Sequence, residues 1–136
     1  MAAACNAVKQ HFSGELWCVF GCGGDRDREK RPLMAQAAER YADHIIVTSD
    51  NPRHEDPQLI IEQVLDGLAK PELAGTCVDR REAIAQAISA AAAGDVILIA
   101  GKGHESCQIV GDTYIAFDDC DVARVLLEQT SAGVNE

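Results

Sequence analysis

Four consecutive residues, Asp50-Asn51-Pro52-Arg53, set an acid, an amide, a rigid turn and a guanidinium directly after the apolar run Ile45-Ile46-Val47-Thr48. Pro52 holds its φ at about −65° and biases Asn51 away from the helical region, so the turn has its geometry before any ligand arrives. Arg53 would offer a planar fork to a carboxylate, while Asp50 and the side-chain oxygen of Asn51 would accept from an ammonium. A site carrying both signs suits a zwitterion. Taken alone, an Asn-Pro step is equally at home in an ordinary polar turn between a strand and a helix.

Two further segments have unusual chemistry. The run from Gly21 to Arg31 opens with Gly21-Cys22-Gly23-Gly24 and then carries Arg26, Arg28, Lys30 and Arg31 within a chain that is acidic overall. Its glycines permit close backbone approach, and Arg26 and Arg28 stand just past them. The competing reading is a solvated charge cluster. The segment Gly101-Lys102-Gly103-His104-Glu105 has a Gly-Lys pair but neither it nor the first run matches G-x-G-x-x-G or G-x-x-x-x-G-K-[ST]. Lys102 and His104 are therefore open between surface residues and phosphate contacts. Glu105 would accept from an ammonium, or cap a hairpin or helix. Together the segments offer Arg26 and Arg53 to carboxylates, and Asp50, Asn51 and Glu105 to amines, which fits an amino acid with a zwitterionic group at each end.

The elements that must position these residues follow from periodicity. Residues 16–20 and 96–100 are continuous apolar runs and predict buried strands; residues 45–48 and 76–78 predict two more. Pro32 in a first turn predicts a helix with an apolar stripe of Leu33, Met34, Ala37, Ala38 and Tyr41. Asp56-Pro57 predicts a capped helix burying Ile60, Ile61, Val64, Leu65 and Leu68 and ending near Lys70-Pro71. Asp79 with Glu82 resembles a capping box before an alanine-rich helix that stops at Gly94. Gly111-Asp112 between short strand-like runs predicts a two-residue hairpin. A short helix over 2–12 and a last one over 121–129, burying Val122, Val125 and Leu126, complete the pattern, with a frayed tail over 130–136.

Alternating strands and helices predict a single α/β, Rossmann-like domain over 1–136: a mostly parallel sheet with helices on both faces and an antiparallel hairpin at one edge. Such sheets take ligands beyond the carboxyl ends of their strands, and all three unusual loops follow predicted strand ends.

Composition narrows the partners. A formal charge of −10 over 136 residues argues against nucleic acid and anionic membrane, both of which need a basic footprint. No apolar run approaches the ~20 residues of a membrane span, and the first residues lack the order of a signal peptide, which places the chain in the cytoplasm. The six cysteines show no C-x-x-C spacing, so reduced thiols are expected and a metal site is not.

Read in register, Gly21-Cys22-Gly23-Gly24-Asp25-Arg26-Asp27, Lys30-Arg31-Pro32-Leu33-Met34, Asp50-Asn51-Pro52-Arg53 and Gly101-Lys102-Gly103-His104-Glu105 resemble the C-terminal domain of the Mur ligases, and within them the branch that adds meso-diaminopimelate. The resemblance implies that Asp50, Asn51, Pro52 and Arg53 select the substrate. It implies that Arg26 meets a diaminopimelate carboxylate, and that Gly101 and Glu105 supply the remaining contacts. Relatives that add lysine differ at this motif, since lysine lacks the second carboxylate that Arg53 would pair. The reaction implied is ATP-dependent amide ligation, in which a carboxylate of a UDP-linked muramoyl dipeptide is phosphorylated and then attacked by the amine of diaminopimelate. In that family the P-loop, the magnesium ligands and the nucleotide site belong to other domains. The expectation is thus an excised third domain: monomeric, with no catalytic residue of its own, and inactive as a ligase without the domains that bind ATP and magnesium. The alternatives are a free-standing module of the same fold that senses an anion or nucleotide, and a domain of a lysine-adding ligase.

Overall fold

The central strand, β1 (Leu16–Phe20), sends alternate side chains to opposite faces, and both sets are apolar, as a strand buried on both sides requires. The computed structural model describes Cys5 and residues 13–24, 28–101 and 105–134, with side chains described up to 129. The helix expected over 2–12 lies outside these residues except for Cys5. After β1 come α1 (Lys30–Tyr41), β2 (His44–Val47), α2 (Pro57–Leu65), a 3-10 turn (Pro71–Leu73), β3 (Gly75–Thr76), α3 (Arg80–Ala90), β4 (Val96–Ala100), β5 (Cys107–Val110), β6 (Thr113–Ala116) and α4 (Asp119–Val134). The four main strands form one sheet in the order β3-β2-β1-β4, every neighbouring pair parallel.

Helices cover both faces. Leu16, Cys18 and Phe20 of β1 pack with Ala35 and Ala38 of α1 and with Ile60, Ile61 and Val64 of α2. Val19 and Ile46 point the other way, against Ala83, Ile84 and Ala87 of α3, joined by Val122 and Leu126 of α4. Each fully buried Leu, Ile, Val or Phe contributes roughly 1.5–3 kcal/mol, so this two-sided core carries the fold.

The expected stripe on α1 is rotated. Leu33 is 60% exposed, and the inward face is Arg31, Ala35 and Ala38, with Met34 and Tyr41 half-buried beside it. Alanine at these inward positions lets the helix approach the sheet closely, and packing rather than side-chain hydropathy sets its rotation. On α4 the inner residues are Val122 and Leu126, spaced i and i+4, whereas Val125 is 37% exposed. That helix also begins earlier than expected and continues to Val134, so the backbone over 130–134 is helical. α2 ends at Leu65, short of Lys70. Both expected caps are present: Asp56 accepts from Gln58 N at 2.9 Å and Asp79 from Glu82 N at 3.2 Å.

The hairpin is antiparallel with Gly111-Asp112 at its turn, and it forms its own two-stranded sheet. It is also tied to the turn after β2, in part through a parallel bridge between Arg53 and Val110.

Burial also sets the chemistry of the thiols. Cys22 is pushed up to about 11, mainly by burial, and Cys18 is raised by its hydrogen bond to Cys5 and by burial. Cys120 on α4 is exposed. A thiol-specific reagent at pH 7.5 is therefore expected to modify Cys120 at once, and Cys18 and Cys22 only as the protein unfolds. Mass mapping of the labelled peptides against time checks this; early modification of Cys22 would contradict it.

Candidate functional site

The chain order brings three loops to one end of the sheet. From β1 it winds outward to β2 and β3, then crosses to β4 on the other side of β1, so the switch point lies at the carboxyl ends of β1 and β4. There a cavity of about 380 Å³ is lined by Gly21, Cys22, Gly23, Lys30, Arg31, Met34, Asp50 and Gly101. The loops after β1, β2 and β4 thus all contribute to it, as the order of elements predicts.

Close approach of these loops depends on glycine. A Cβ on Gly24 would stand 1.8 Å from Pro52 O, and one on Gly21 would stand 2.3 Å from Thr48 O. Gly24 N also donates to Asn51 O at 2.6 Å. Gly101 adopts φ +110, where a Cβ would meet Gly21 O at 3.3 Å and Asp50 Oδ2 at 3.6 Å. The carboxylate of Asp50, which is 9% exposed, therefore faces the Gly101 turn. Replacing Gly24 by alanine is expected to destabilise the fold by about 1–3 kcal/mol, because a backbone carbonyl has no rotamer by which to yield. A urea melt measures that loss; an unchanged midpoint would refute the contact.

Within the turn, Asn51 is a connector. Its Nδ2 donates to Glu105 Oε2 at 2.9 Å, and its Oδ1 accepts from Ile109 N at 3.0 Å. Gln108 Nε2 donates to Asp50 O at 2.8 Å. The hairpin is thereby fastened to the motif, and Glu105, which is exposed, is held beside Asn51. Arg53 occupies the left-handed region at φ +52, which non-glycine residues seldom adopt. Backbone bonds on either side enforce it: Arg53 N donates to Ile109 O at 2.9 Å, and Gly111 N donates to Arg53 O. Such strain, of order 1 kcal/mol or more, persists where surrounding structure over-determines it, as at binding sites. The side chain is anchored at one nitrogen, Nη1 donating to Gly24 O at 2.9 Å.

Of the expected site residues Asp50 and Gly101 line the cavity, Asn51, Pro52 and Arg53 continue the Asp50 turn, and Glu105 is bonded to Asn51. Arg26, Lys102 and His104 lie outside the described residues. Among the described residues no group of three or more His, Cys, Asp or Glu side chains converges on a common point.

Two buried arginines escaped the sequence reasoning as parts of the site. Arg31, 1% exposed, makes a two-point pair with Glu55, Nη2 to Oε2 at 2.7 Å and Nη1 to Oε1 at 3.3 Å. It also donates to Gln63 Oε1 at 2.7 Å and Gly23 O at 2.9 Å, so it staples the loop after β1 to α2 and the segment before it. Arg80, also 1% exposed, forks onto Asp119 at 2.8 and 2.7 Å and donates to Ser49 O and Ala100 O at 2.9 and 3.2 Å. A signal was available for both. Each sits in the first turn of a helix, where a cation opposes the dipole, and a local conflict of this kind marks a residue used elsewhere.

Comparison with known proteins bears on this arrangement. The family described as "Mur ligase, glutamate ligase domain" matches residues 1–103. A UDP-N-acetylmuramoyl-L-alanyl-D-glutamate--2,6-diaminopimelate ligase of Prochlorococcus marinus is 54% identical over 121 residues, covering 89% of this chain and 24% of the relative. The protein of the same name from Haemophilus influenzae is 54% identical over 117 residues, covering 86% of this chain and 24% of that one. A solved structure of a ligase of that name superposes with a TM-score of 0.90 at 44% identity, over 96% of this chain and 27% of the other. The chain spans about a quarter of the length of the curated relatives it matches.

Proposed function

The chain belongs to the Mur ligase family, and from that premise we propose that its crevice binds meso-diaminopimelate, as the amino-acid-binding domain of a ligase that joins it to UDP-N-acetylmuramoyl-L-alanyl-D-glutamate in peptidoglycan synthesis. The observation that carries this reading is the 2.9 Å bond from Asn51 to Glu105. It ties the carboxylate of Glu105, which could accept from an ammonium, to the turn that carries Arg53, whose guanidinium is anchored through Nη1, and the Asp50 carboxylate faces Gly101. An acid and a fork at one rim match the two charges of an α-amino-acid group.

In this reading Arg53, with Arg26, pairs the ligand's carboxylates, and Asp50 and Glu105 accept from its ammonium groups. Asn51 has both side-chain heteroatoms engaged within the protein, so its role is to hold Glu105 and the hairpin. Pro52 and Gly101 set the backbone on either side. Lys102 and His104 follow Gly101 and would reach toward phosphate.

Ligation needs an activated acyl group, and ATP with magnesium supplies that chemistry when bound. Among the described residues neither a converging metal-ligand cluster nor a P-loop is present. The reading therefore assigns both cofactors to parts of the relatives that this chain does not span. The chain alone is expected to bind without turning over ATP.

Titration calorimetry with meso-diaminopimelate, lysine and ATP tests the proposal. The expected result is binding of meso-diaminopimelate at least about tenfold tighter than lysine, since lysine leaves the guanidinium fork unpaired. Equal affinity for lysine would favour a lysine-adding domain. ATP binding alone, indifferent to Arg53→Ala, would favour a nucleotide-sensing module.

A further inference from the structure

We infer that Arg80 is a positioning residue for the amino-acid site: from behind the sheet it sets the spacing between the Asp50 turn and the Gly101 turn. The inference rests on the reading of the crevice just proposed. Arg80 starts α3, on the face of the sheet opposite α1, and is not itself among the residues that line the cavity. Its guanidinium nevertheless reaches the last carbonyl before each of two site residues. Nη1 donates to Ser49 O, immediately before Asp50, and Nη2 donates to Ala100 O, immediately before Gly101.

Ala100 is the last residue of β4 and Ser49 lies two residues past the end of β2, the strands that flank β1 on either side. One planar group therefore bridges the width of the central strand at its carboxyl end. A peptide unit is rigid and planar, so orienting the Ser49 and Ala100 carbonyls also orients the amide planes that open Asp50 and Gly101. Asp119, 8% exposed at the start of α4, accepts from Nε and Nη2 and stops the guanidinium from rotating. A planar fork with fixed bond directions can hold two strand ends in one relative position; an ammonium on a flexible stem cannot. The order of the elements explains why this matters here. β2 and β4 are not bonded to each other beyond the end of β1, so nothing in the sheet ladder itself fixes the gap between their following turns.

The test compares three variants of the full chain, Arg80→Lys, Asp119→Asn and Ile84→Val, by melting temperature, amide NMR and meso-diaminopimelate titration. Ile84 packs α3 against the same face of the sheet, so Ile84→Val reports what simple loosening of that face does. For Arg80→Lys the amide signals of Asp50 and Gly101 are expected to move together, and affinity to fall about tenfold or more. Ile84→Val should lower the melting temperature with affinity within about twofold of the parent. Unmoved Asp50 and Gly101 signals in Arg80→Lys, or an affinity loss matched by Ile84→Val, would overturn the inference. If Arg80→Lys does not fold, Asp119→Asn decides: shifts at both turns support the role and their absence overturns it. If the parent chain does not bind meso-diaminopimelate, the functional reading fails, while the two amide signals still judge the positioning role.

Discussion

Arg53→Ala is expected to weaken meso-diaminopimelate binding by about 2–4 kcal/mol, on the order of 30- to 1,000-fold, which calorimetry measures directly. The size follows from the side chain's situation. Among the described residues it is engaged through Nη1 alone, by Gly24 O and more distantly by Asn51 O, so it is aimed but not neutralised. A carboxylate arriving there gains a fork that has already been oriented, and little rotamer entropy is lost on binding. Removing the fork leaves the ligand's carboxylate desolvated without a partner. Arg53→Lys should recover only part of the loss, since an ammonium keeps the charge without the two-point geometry. Backbone strain gives an independent check. At φ +52 alanine keeps the conformational cost of the arginine, whereas glycine removes it. Arg53→Gly should therefore be more stable than Arg53→Ala by about 1 kcal/mol while binding no better. If Arg53→Ala retained full affinity, the assignment of the crevice to a carboxylate-bearing ligand would fall.

The second large effect concerns stability. Arg31→Met is expected to cost about 3–5 kcal/mol, because Glu55, Gln63 and Gly23 O all lose a buried charged donor at once. Arg28 provides the contrast, since it pairs with the same carboxylate, Glu55, at 3.1 Å. Its side chain is 66% exposed against 1% for Arg31. Arg28→Met should therefore change stability by only about 0–1 kcal/mol. Arg31 also satisfies Gly23 O and Gln63 Oε1, so its loss would release the loop after β1 as well as Glu55. Paired urea melts of the two variants decide the matter. Equal midpoints would mean that burial of Arg31 carries no special weight.

The comparison of sequence and structure is clearest at these same residues. Strands and caps were readable because their causes are local: a continuous apolar run for β1 and β4, and a carboxylate accepting from a nearby helix amide at Asp56 and Asp79. The crevice was readable because chain order alone sends the loops after β1, β2 and β4 to one end of a parallel sheet. The face of α1 was not, since an alanine face and a leucine stripe compete on hydropathy, and only the distance to the sheet favours the alanines. Nor was the hairpin's attachment. Its strand pattern tells that it pairs with itself, whereas its docking on the turn after β2 depends on Asn51 and Gln108 meeting backbone groups 58 residues away in the chain.

By itself, then, the sequence determined the order of strands and helices, their caps, and the end of the sheet at which the three unusual loops meet. Tertiary structure alone decided how the side chains there are held. The guanidinium groups of Arg31 and Arg80 find carboxylates and carbonyls 8 to 39 residues distant, and the side chain of Asn51 bonds Glu105, 54 residues away. The reason is one of range: periodicity and capping act over a few residues, but the partner of a buried charge is whatever the folded chain brings within 3 Å.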